Sequence, residues 1–478
     1  MNRQFVYLLP EIIVLSTALV ILVADMFLRD DHKDKLAFVS VAGMWLAAAS
    51  AATLFGQRVT IMSDMFVVDS FSIVMKMIVL IAGGLAVLVG YDYLRRPLAK
   101  QGEWYFLMTA SVLGMMIMTG TSHLLVAFLA IQLTSIPLYI LTGFKKGNLK
   151  SSEAALKYFL LGIITAAITL YGMSLIYGLT GSLHLPVIAA NLAKVDPKNA
   201  VLFMGMVLII SGFSFKIAAV PFHFWAPDVY EGAPTPVAGF IAAVPKVAGF
   251  AVLARLVYTA FPDFNVQWMG LFALLAVLTM TTGNLLALPQ KNFKRMLAFS
   301  GIAHVGYMLI ALAVGTRNGL GALVFYAAAY AIMNVGAFAI VVALGRTNQE
   351  HQVKTFAGLG TRSPLTAAAM TLFLLSMMGF PLTAGFSGKL FLFSAAVQQG
   401  FTWLVVIGVV NSVISVFYYL RVVREMYFEK SHTDKPFNMP VVLIIVVAAA
   451  VLLTLALGFY PEPLIHLTRG LSLLHTRF

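Results

Sequence analysis

Fourteen stretches of mostly apolar residues follow one another along this chain, at 7–28, 36–55, 68–90, 104–120, 122–142, 153–179, 200–220, 234–258, 267–288, 296–315, 319–344, 364–390, 400–424 and 439–459. Each is near the roughly 20 residues that a helix needs to cross a bilayer. Only helices and closed barrels satisfy every backbone polar group in lipid, and runs of this length fit helices. The 478 residues are 60% hydrophobic and 11% charged, whereas soluble domains carry about 25% charged residues. The chain therefore reads as an all-α polytopic membrane protein of about fourteen transmembrane helices. The first apolar run, in MNRQFVYLLPEIIVLSTALVILVADMFL, is too long for a signal-peptide core and no small-residue cleavage site follows it, so it reads as a retained first span. The sequence has no cysteine, which excludes disulfides, thiolate-held iron–sulfur clusters and thiol chemistry.

A formal charge of +13 would suit a nucleic-acid partner, but the basic residues fall mainly in loops between apolar spans. They read instead as orientation signals. RDDHKDK (29–35), YLRRPLAK (93–100), FKKGNLK (144–150), PQKNFKR (289–295) and the 345–363 segment are basic, and all follow odd-numbered spans. TGTS (119–122), FPDFNV (261–266) and the turn near 399–402 carry almost no basic residues. The positive-inside rule places the basic loops in the cytoplasm and both termini on the other side of the membrane. The acidic loop DVYEGA and the tail residues Arg469 and Arg477 run against the pattern.

Two spans carry helix breakers at mid-membrane. One is GFSFKIAAVPFHFWAP, with Pro221; the other is GFPLTAGFSGKLFLF (379–393), with Pro381, Gly385 and Gly388. Proline removes a backbone donor and clashes with the preceding turn. Broken helices in corresponding places point to inverted repeats with polar groups at the break. Lys216 and Lys389 lie beside the two breaks, 173 residues apart, and Gln132 and His304 lie 172 apart on corresponding spans.

An ionisable group inside a membrane costs about 2.5–3.5 kcal/mol on insertion scales and is a functional hypothesis by default. Lys216, Lys246 and Lys389 stand in such places. Burial draws a lysine pKa towards neutrality, which suits a proton carrier. His304, in SGIAHVGYML, fits either a structural hydrogen bond or proton transfer. Glu153 and Lys157 are spaced i,i+4, which supports a surface ion pair and equally a carboxylate beside a buried relay. Lys76 reads as a residue near a helix end that snorkels to the headgroups. HFWAPDVYEGAPTP, with His223, Trp225, Asp228 and Glu231, reads as a structural turn at the membrane face, with no metal-ligand spacing. No phosphate loop, dinucleotide fingerprint or nucleophile constellation stands out. Coupled titration of neighbouring buried groups would let such a row move protons in steps.

PFHFWAPDVYEGAPTPV, with GFSFK upstream and PK downstream, resembles the antiporter-like subunit N family of bacterial NADH:quinone oxidoreductase (respiratory complex I), which includes mitochondrial subunit 2. LTSIPLYILTGF (133–144), NLLALPQKNFKRMLAFSGIAHVGYML (284–309) and LLSMMGFPLTAGFSGKLFLF (374–393) extend the resemblance over nearly the whole chain. Sister subunits L and M and the sodium/proton antiporter subunits carry different residues after the Pro-Asp. The resemblance implies fourteen helices with two inverted five-helix repeats. It divides the chain into helices 1–3 (residues 1–103), a first repeat (104–258), a second repeat (259–428) and a last helix with tail (429–478). It implies a proton relay of Lys216, Lys246, Lys389 and His304, with Glu153 and Lys157 at the sixth-span charged positions. NADH, FMN, iron–sulfur clusters and quinone are expected on other subunits, with no cofactor or metal in this chain. Subunits of the K and M types, and lipids, are the expected neighbours. The rival readings are a cation/proton antiporter subunit, a membrane-bound hydrogenase subunit and a non-pumping structural subunit.

One position departs from the family. Where the family usually has a fifth-span glutamate, this chain has Gln132, in IQLTSIPLYIL. A glutamine hydrogen-bonds but does not ionise. Glu153 is one candidate substitute; otherwise the pair is dispensable, or the subunit pumps poorly. Proton transfer is expected to persist through the remaining lysines. Lys216→Ala should then lower NADH-driven proton transport in membrane vesicles; unchanged transport in both Lys216→Ala and Gln132→Glu would refute the expectation.

Overall fold

The structure is a computed structural model that describes residues 4–94, 101–262, 265–345, 351–431, 437–471 and 473, with backbone alone at 265–267 and 469. The principal helices are α1 (Leu9–Phe27), α2 (Leu36–Ala52), α3 (Ser70–Leu94), α4 (Gln101–Gly120), α5 (Leu124–Thr142), α6 (Leu149–Thr180), α7 (Ala200–Ile217) and α8 (Thr235–Ala260). They continue as α9 (Asn265–Ala287), α10 (Phe293–Val314), α11 (Arg317–Leu344), α12 (Pro364–Met378), α13 (Ala384–Gln398), α14 (Thr402–Phe428) and α15 (Val441–Phe459). Among the described residues, twelve helices are long and apolar enough to cross a membrane. The 20-residue α4 stands where a further span was expected, and the half-length α12 and α13 together occupy the place of the one remaining expected span. Of the basic stretches, residues 95–100, 346–350 and Arg477 lie outside the described residues, as do Asp263 and Phe264 of the FPDFNV loop. The expected divisions at 103/104 and 258/259 fall inside α4 and α8 rather than between helices.

Three helices form the centre. Every residue of α8 is buried, as is all of α10 except Arg295, and α11 is buried from Gly319 to Leu344 except Ile332. Small residues permit this. A Cβ on Gly239 of α8 would stand 2.7 Å from Phe338 of α11, and one on Gly249 would stand 2.7 Å from Ile217 of α7. Close backbone approach replaces the hydrophobic effect as the means of association between helices in lipid. The outer helices instead present rows of exposed apolar side chains, such as Leu15, Leu19, Leu22 and Met26 on α1.

The first break runs from Ala218 to Phe224 and contains Pro221; a short helix, Trp225–Gly232, follows it. HFWAPDVYEGAPTP is therefore largely helix, not turn. The second break is confined to residues 379–383, with Pro381 inside it. Gly385 and Gly388 lie beyond it in α13 and serve packing. A Cβ on Gly385 would run into the Ser376 carbonyl oxygen, and one on Gly388 into the Tyr326 ring. Ala218 (φ 60°) and Leu382 (φ 67°) hold left-handed backbone at the two breaks.

Two buried ion pairs tie the amino-terminal helices to the bundle, and neither was expected. Lys76 does not snorkel. It is 1% exposed on α3 and its ammonium meets the Glu11 carboxylate of α1. Arg255 of α8 grips Asp69 with two bonds, of 2.8 and 3.0 Å, and both side chains are buried. Asp69 also starts α3: its Oδ1 accepts from Ser72 N at 2.8 Å while its own N–H donates to Ser72 Oγ at 3.1 Å, a reciprocal cap. A two-stranded antiparallel hairpin, Val59–Ile61 with Phe66–Val68, also interrupts the expected all-helical chain. It stands between α2 and α3 and delivers the chain to Asp69.

Removing one partner of a buried pair costs about 3–5 kcal/mol, whereas replacing both by apolar residues is often neutral. Arg255→Leu alone should therefore lower the thermal unfolding temperature of the detergent-solubilised protein sharply. Asp69→Leu/Arg255→Leu should recover much of that loss.

Candidate functional site

The polar groups of the membrane interior form a row that runs through the central helices. Lys216 is the next-to-last residue of α7, at the first break. Its Nζ donates to Ser135 Oγ at 2.6 Å and to Tyr139 Oη at 3.2 Å, both on α5. The ammonium also lies 5.6 Å from the centre of the Tyr139 ring. Gln132 is on the same α5 face, one turn before Ser135, but its Oε1 is buried without a hydrogen-bond partner among the described residues. Among the described residues no carboxylate lies within ion-pair distance of Lys216. Glu153 does not take the place of the missing glutamate. It pairs with Lys157 at 2.7 Å, and the two side chains are 62% and 44% exposed.

Lys157 also reaches Asp228 at 2.8 Å, and Asp228 in turn accepts from Arg295 at 2.6 Å. Arg295 and Lys150 both meet Glu231, at 3.2 and 3.3 Å. The acidic string that disturbed the loop-charge pattern is thus neutralised by cations from α6 and α10. Burial raises the Asp228 pKa, but the hydrogen bonds from Lys157 and Arg295 outweigh it and hold the carboxyl below its ordinary value. Glu153 and Lys157 belong to this partly exposed cluster.

Lys246 is the twelfth residue of the 26-residue α8 and is 1% exposed. Its Nζ donates to Tyr330 Oη of α11 at 3.1 Å. Gly301 of α10 makes room for this bond, because a Cβ there would stand 2.7 Å from Lys246 Nζ and 2.8 Å from Tyr330 Oη. One turn further along α10 is His304. Its ring lies 5.3 Å from that of Tyr330, its Nδ1 is 2.7 Å from Tyr326 Oη and its Nε2 is 3.1 Å from Tyr419 Oη. The Tyr419 ring touches Tyr418, at 4.4 Å between centres. Tyr418 Oη donates to Asn284 Oδ1 at 3.0 Å, and Asn284 Nδ2 donates to Tyr307 Oη at 3.4 Å. Ser412 Oγ donates to the same hydroxyl at 3.3 Å, and Lys389 Nζ donates to Ser412 Oγ at 3.1 Å.

Lys389 therefore ends the row. It also donates to the Met378 carbonyl, at 2.9 Å, which the break leaves free at the end of α12, and its ammonium sits 4.5 Å over the Tyr307 ring. A cation at a helix carboxyl end is favoured by the helix dipole. Gly379, with φ 95°, turns the chain here and leaves space for the lysine stem.

Between Lys246 and Lys389 the row consists of three hydrogen-bonded segments joined by ring contacts. Between Lys216 and Lys246 no direct hydrogen-bonded path exists among the described residues. That interval is lined by tyrosines. Tyr139 meets Tyr158 edge-on at 4.7 Å, and the ring of Tyr230, whose hydroxyl has no hydrogen-bond partner among the described residues, lies 6.0 Å from Lys246 Nζ. Sequence reasoning found the cations and His304 but missed Tyr326, Tyr330, Tyr418, Tyr419, Tyr307, Asn284 and Ser412. The i,i+4 spacing of Tyr326 and Tyr330 on one apolar helix was the available signal.

Long helices, two interrupted spans and a polar row through the centre define an antiporter-like membrane subunit. Residues 121–415 match the NADH:quinone oxidoreductase/Mrp antiporter transmembrane family. A relative from Trichlorobacter lovleyi, NADH-quinone oxidoreductase subunit N, is 46% identical over 93% of this chain and 92% of its own length. The subunit N of Moorella thermoacetica is 39% identical over 95% of each chain. The chain belongs to the subunit N family of NADH-quinone oxidoreductases. Its structure is similar to a chain in respiratory complex I from Thermus thermophilus with bound aureothin, with a TM-score of 0.81 and 32% identity, covering 97% of this chain and all of that one.

A side chain at position 301 should push the Lys246 ammonium off Tyr330. In Gly301→Ala, the protons translocated per NADH oxidised should fall most of the way to the value of Lys246→Met, measured in reconstituted vesicles.

Proposed function

We propose that this chain carries protons across the membrane along the row Lys216, Lys246, His304 and Lys389, driven by NADH oxidation and quinone reduction in other subunits. The observation that carries the proposal is the succession of buried and half-buried donors and acceptors from Lys246 through Tyr330, His304, Tyr419, Tyr418, Asn284, Tyr307 and Ser412 to Lys389. Tyrosine, serine and histidine each both donate and accept, so a proton can enter one side of the group as another leaves the opposite side. The lysines are the charge-bearing stations. Protonating one raises the cost of protonating the next, so a charge that arrives at Lys246 favours release at Lys389. His304 stands between them and feels both charges.

Lys216 is the station before Lys246. Its ammonium is held by hydroxyls rather than a carboxylate, so with Gln132 it has no counter-ion among the described residues. Water is the natural carrier across the tyrosine-lined interval to Lys246. The halves on either side of this interval are read as inverted repeats. In their support, Ser135 follows Gln132 by three residues and Tyr307 follows His304 by three, and these are the groups that meet Lys216 and Lys389. Glu153 and Lys157, with Asp228 and Arg295, are assigned to the entry side of Lys216. The redox groups, namely FMN, iron–sulfur clusters, NADH and quinone, are assigned to other subunits, and subunits of the K and M types to the flanks. The basic loops are assigned to the cytoplasm and both termini to the periplasm of the inner membrane.

The test is the number of protons moved per NADH in vesicles that hold the whole complex. Lys246→Met and Lys389→Met should each lower that ratio while the complex still assembles. An unchanged ratio in both variants would leave the chain as a scaffold.

A further inference from the structure

A cavity of about 790 Å³ opens on the face that carries the basic loops, apart from the row of proton-handling groups. Lys145 and Lys146 line it from the α5–α6 connection, Lys150 from the first turn of α6 and Lys294 from the first turn of α10. Glu103 and Glu231 also face it, so four lysines meet two carboxylates. Glu231 is already shared by Lys150 and Arg295. Lys145 and Lys146 are exposed and form no ion pair among the described residues.

Lys294 is the unusual member. It is 3% exposed, and its Nζ donates to the Ala233 carbonyl at 2.9 Å. That bond uses one of three ammonium donors. Among the described residues no carboxylate lies within ion-pair distance of it. A buried cation without a counter-ion is costly, and an anion in the cavity would relieve the cost.

The helix ends around the cavity add to its positive potential. Asn148 caps the start of α6, Asn292 caps the start of α10 and Pro234 precedes α8, and all three line the cavity. Three helix amino ends, each with partial positive charge, thus converge on it. His351 lines it too, with Nε2 2.9 Å from Thr235 Oγ1. Burial, and then the charges of Lys294 and Lys145, push the His351 pKa down to about 3, so the imidazole adds no charge of its own at neutral pH. Part of the lining is apolar, with Trp104, Ile140 and Phe144.

We propose that this cavity binds a phosphate group, carried by the headgroup of an anionic phospholipid. Phosphate oxygens would take the free donors of Lys294 and pair with Lys145 and Lys146. The wall of Trp104, Ile140 and Phe144 would take the glycerol and the first acyl carbons. Basic pockets between membrane helices recognise anionic headgroups by this combination. The same lysines would also hold inorganic phosphate, and the apolar wall is what favours the lipid.

The test uses the purified, delipidated whole complex, titrated at low ionic strength with phosphatidylglycerol, phosphatidylcholine and inorganic phosphate. Retained ligand is counted by native mass spectrometry, with radiolabelled phosphate for the soluble arm. Wild type should hold phosphatidylglycerol in preference to phosphatidylcholine. Lys145→Gln/Lys146→Gln, an exposed pair whose loss leaves the core intact, should weaken that binding by roughly 25-fold, about fivefold for each lysine. Lys294→Gln should weaken it as well. Phosphate binding that the double variant loses, with no preference for phosphatidylglycerol, supports the phosphate site and assigns it to a soluble ligand. Equal binding of lipid and of phosphate in wild type and both variants overturns the proposal.

Discussion

A lysine ammonium held inside a membrane bundle is the constraint on which the rest of this structure depends. Removing a charge from water is expensive, and a carboxylate partner is the usual remedy. The protein uses that remedy for Lys76 with Glu11 and for Arg255 with Asp69, where the pairs fasten helices together. Among the described residues, it withholds the remedy from Lys216, Lys246 and Lys389. These are met by hydroxyls, an aromatic face or a free carbonyl. Such partners stabilise the cation less than a carboxylate does, and they tolerate the neutral amine. The difference separates charges that lock the fold from charges that can change.

The two helix breaks follow from the same need. An unbroken helix consumes its carbonyls internally, whereas an interrupted one leaves them free at depth. Met378 supplies such a carbonyl to Lys389 at the second break. At the first, Lys216 itself lies in the last turn of α7, where the dipole favours a cation. Left-handed backbone at Ala218 and Leu382 is a local strain that the surrounding packing maintains. Between the breaks, α8, α10 and α11 are buried on all sides, so Lys246 and His304 meet tyrosines and not lipid.

Much of this was legible in the sequence because lipid leaves the chain few choices. Apolar length marked the spans, proline marked both breaks, and Lys216, Lys246, Lys389 and His304 stood out as polar residues in apolar surroundings. Lys76 was misread because a lysine near a span end snorkels in one context and pairs in another, and only the position of Glu11 on α1 distinguishes the two. The helix at Trp225–Gly232 was hidden by its glycine and proline, and its acidic residues make sense only against Lys157 and Arg295. The hairpin at 59–68 is too short to leave a periodic signal.

By itself, then, the sequence determined that the chain spans a membrane many times, where its helices break and which cations lie inside. Those properties depend on the free energy of moving each residue from water to lipid, which is local and nearly additive. The tertiary structure alone decided which cations have carboxylates, that Gln132 and Glu153 do not serve Lys216, and that tyrosines from α10, α11 and α14 complete the row. Lipid-facing and helix-facing apolar residues look alike in sequence, because both environments are equally free of water. Only the packing of one helix against another chooses between them, and that choice sets the partner of every buried charge.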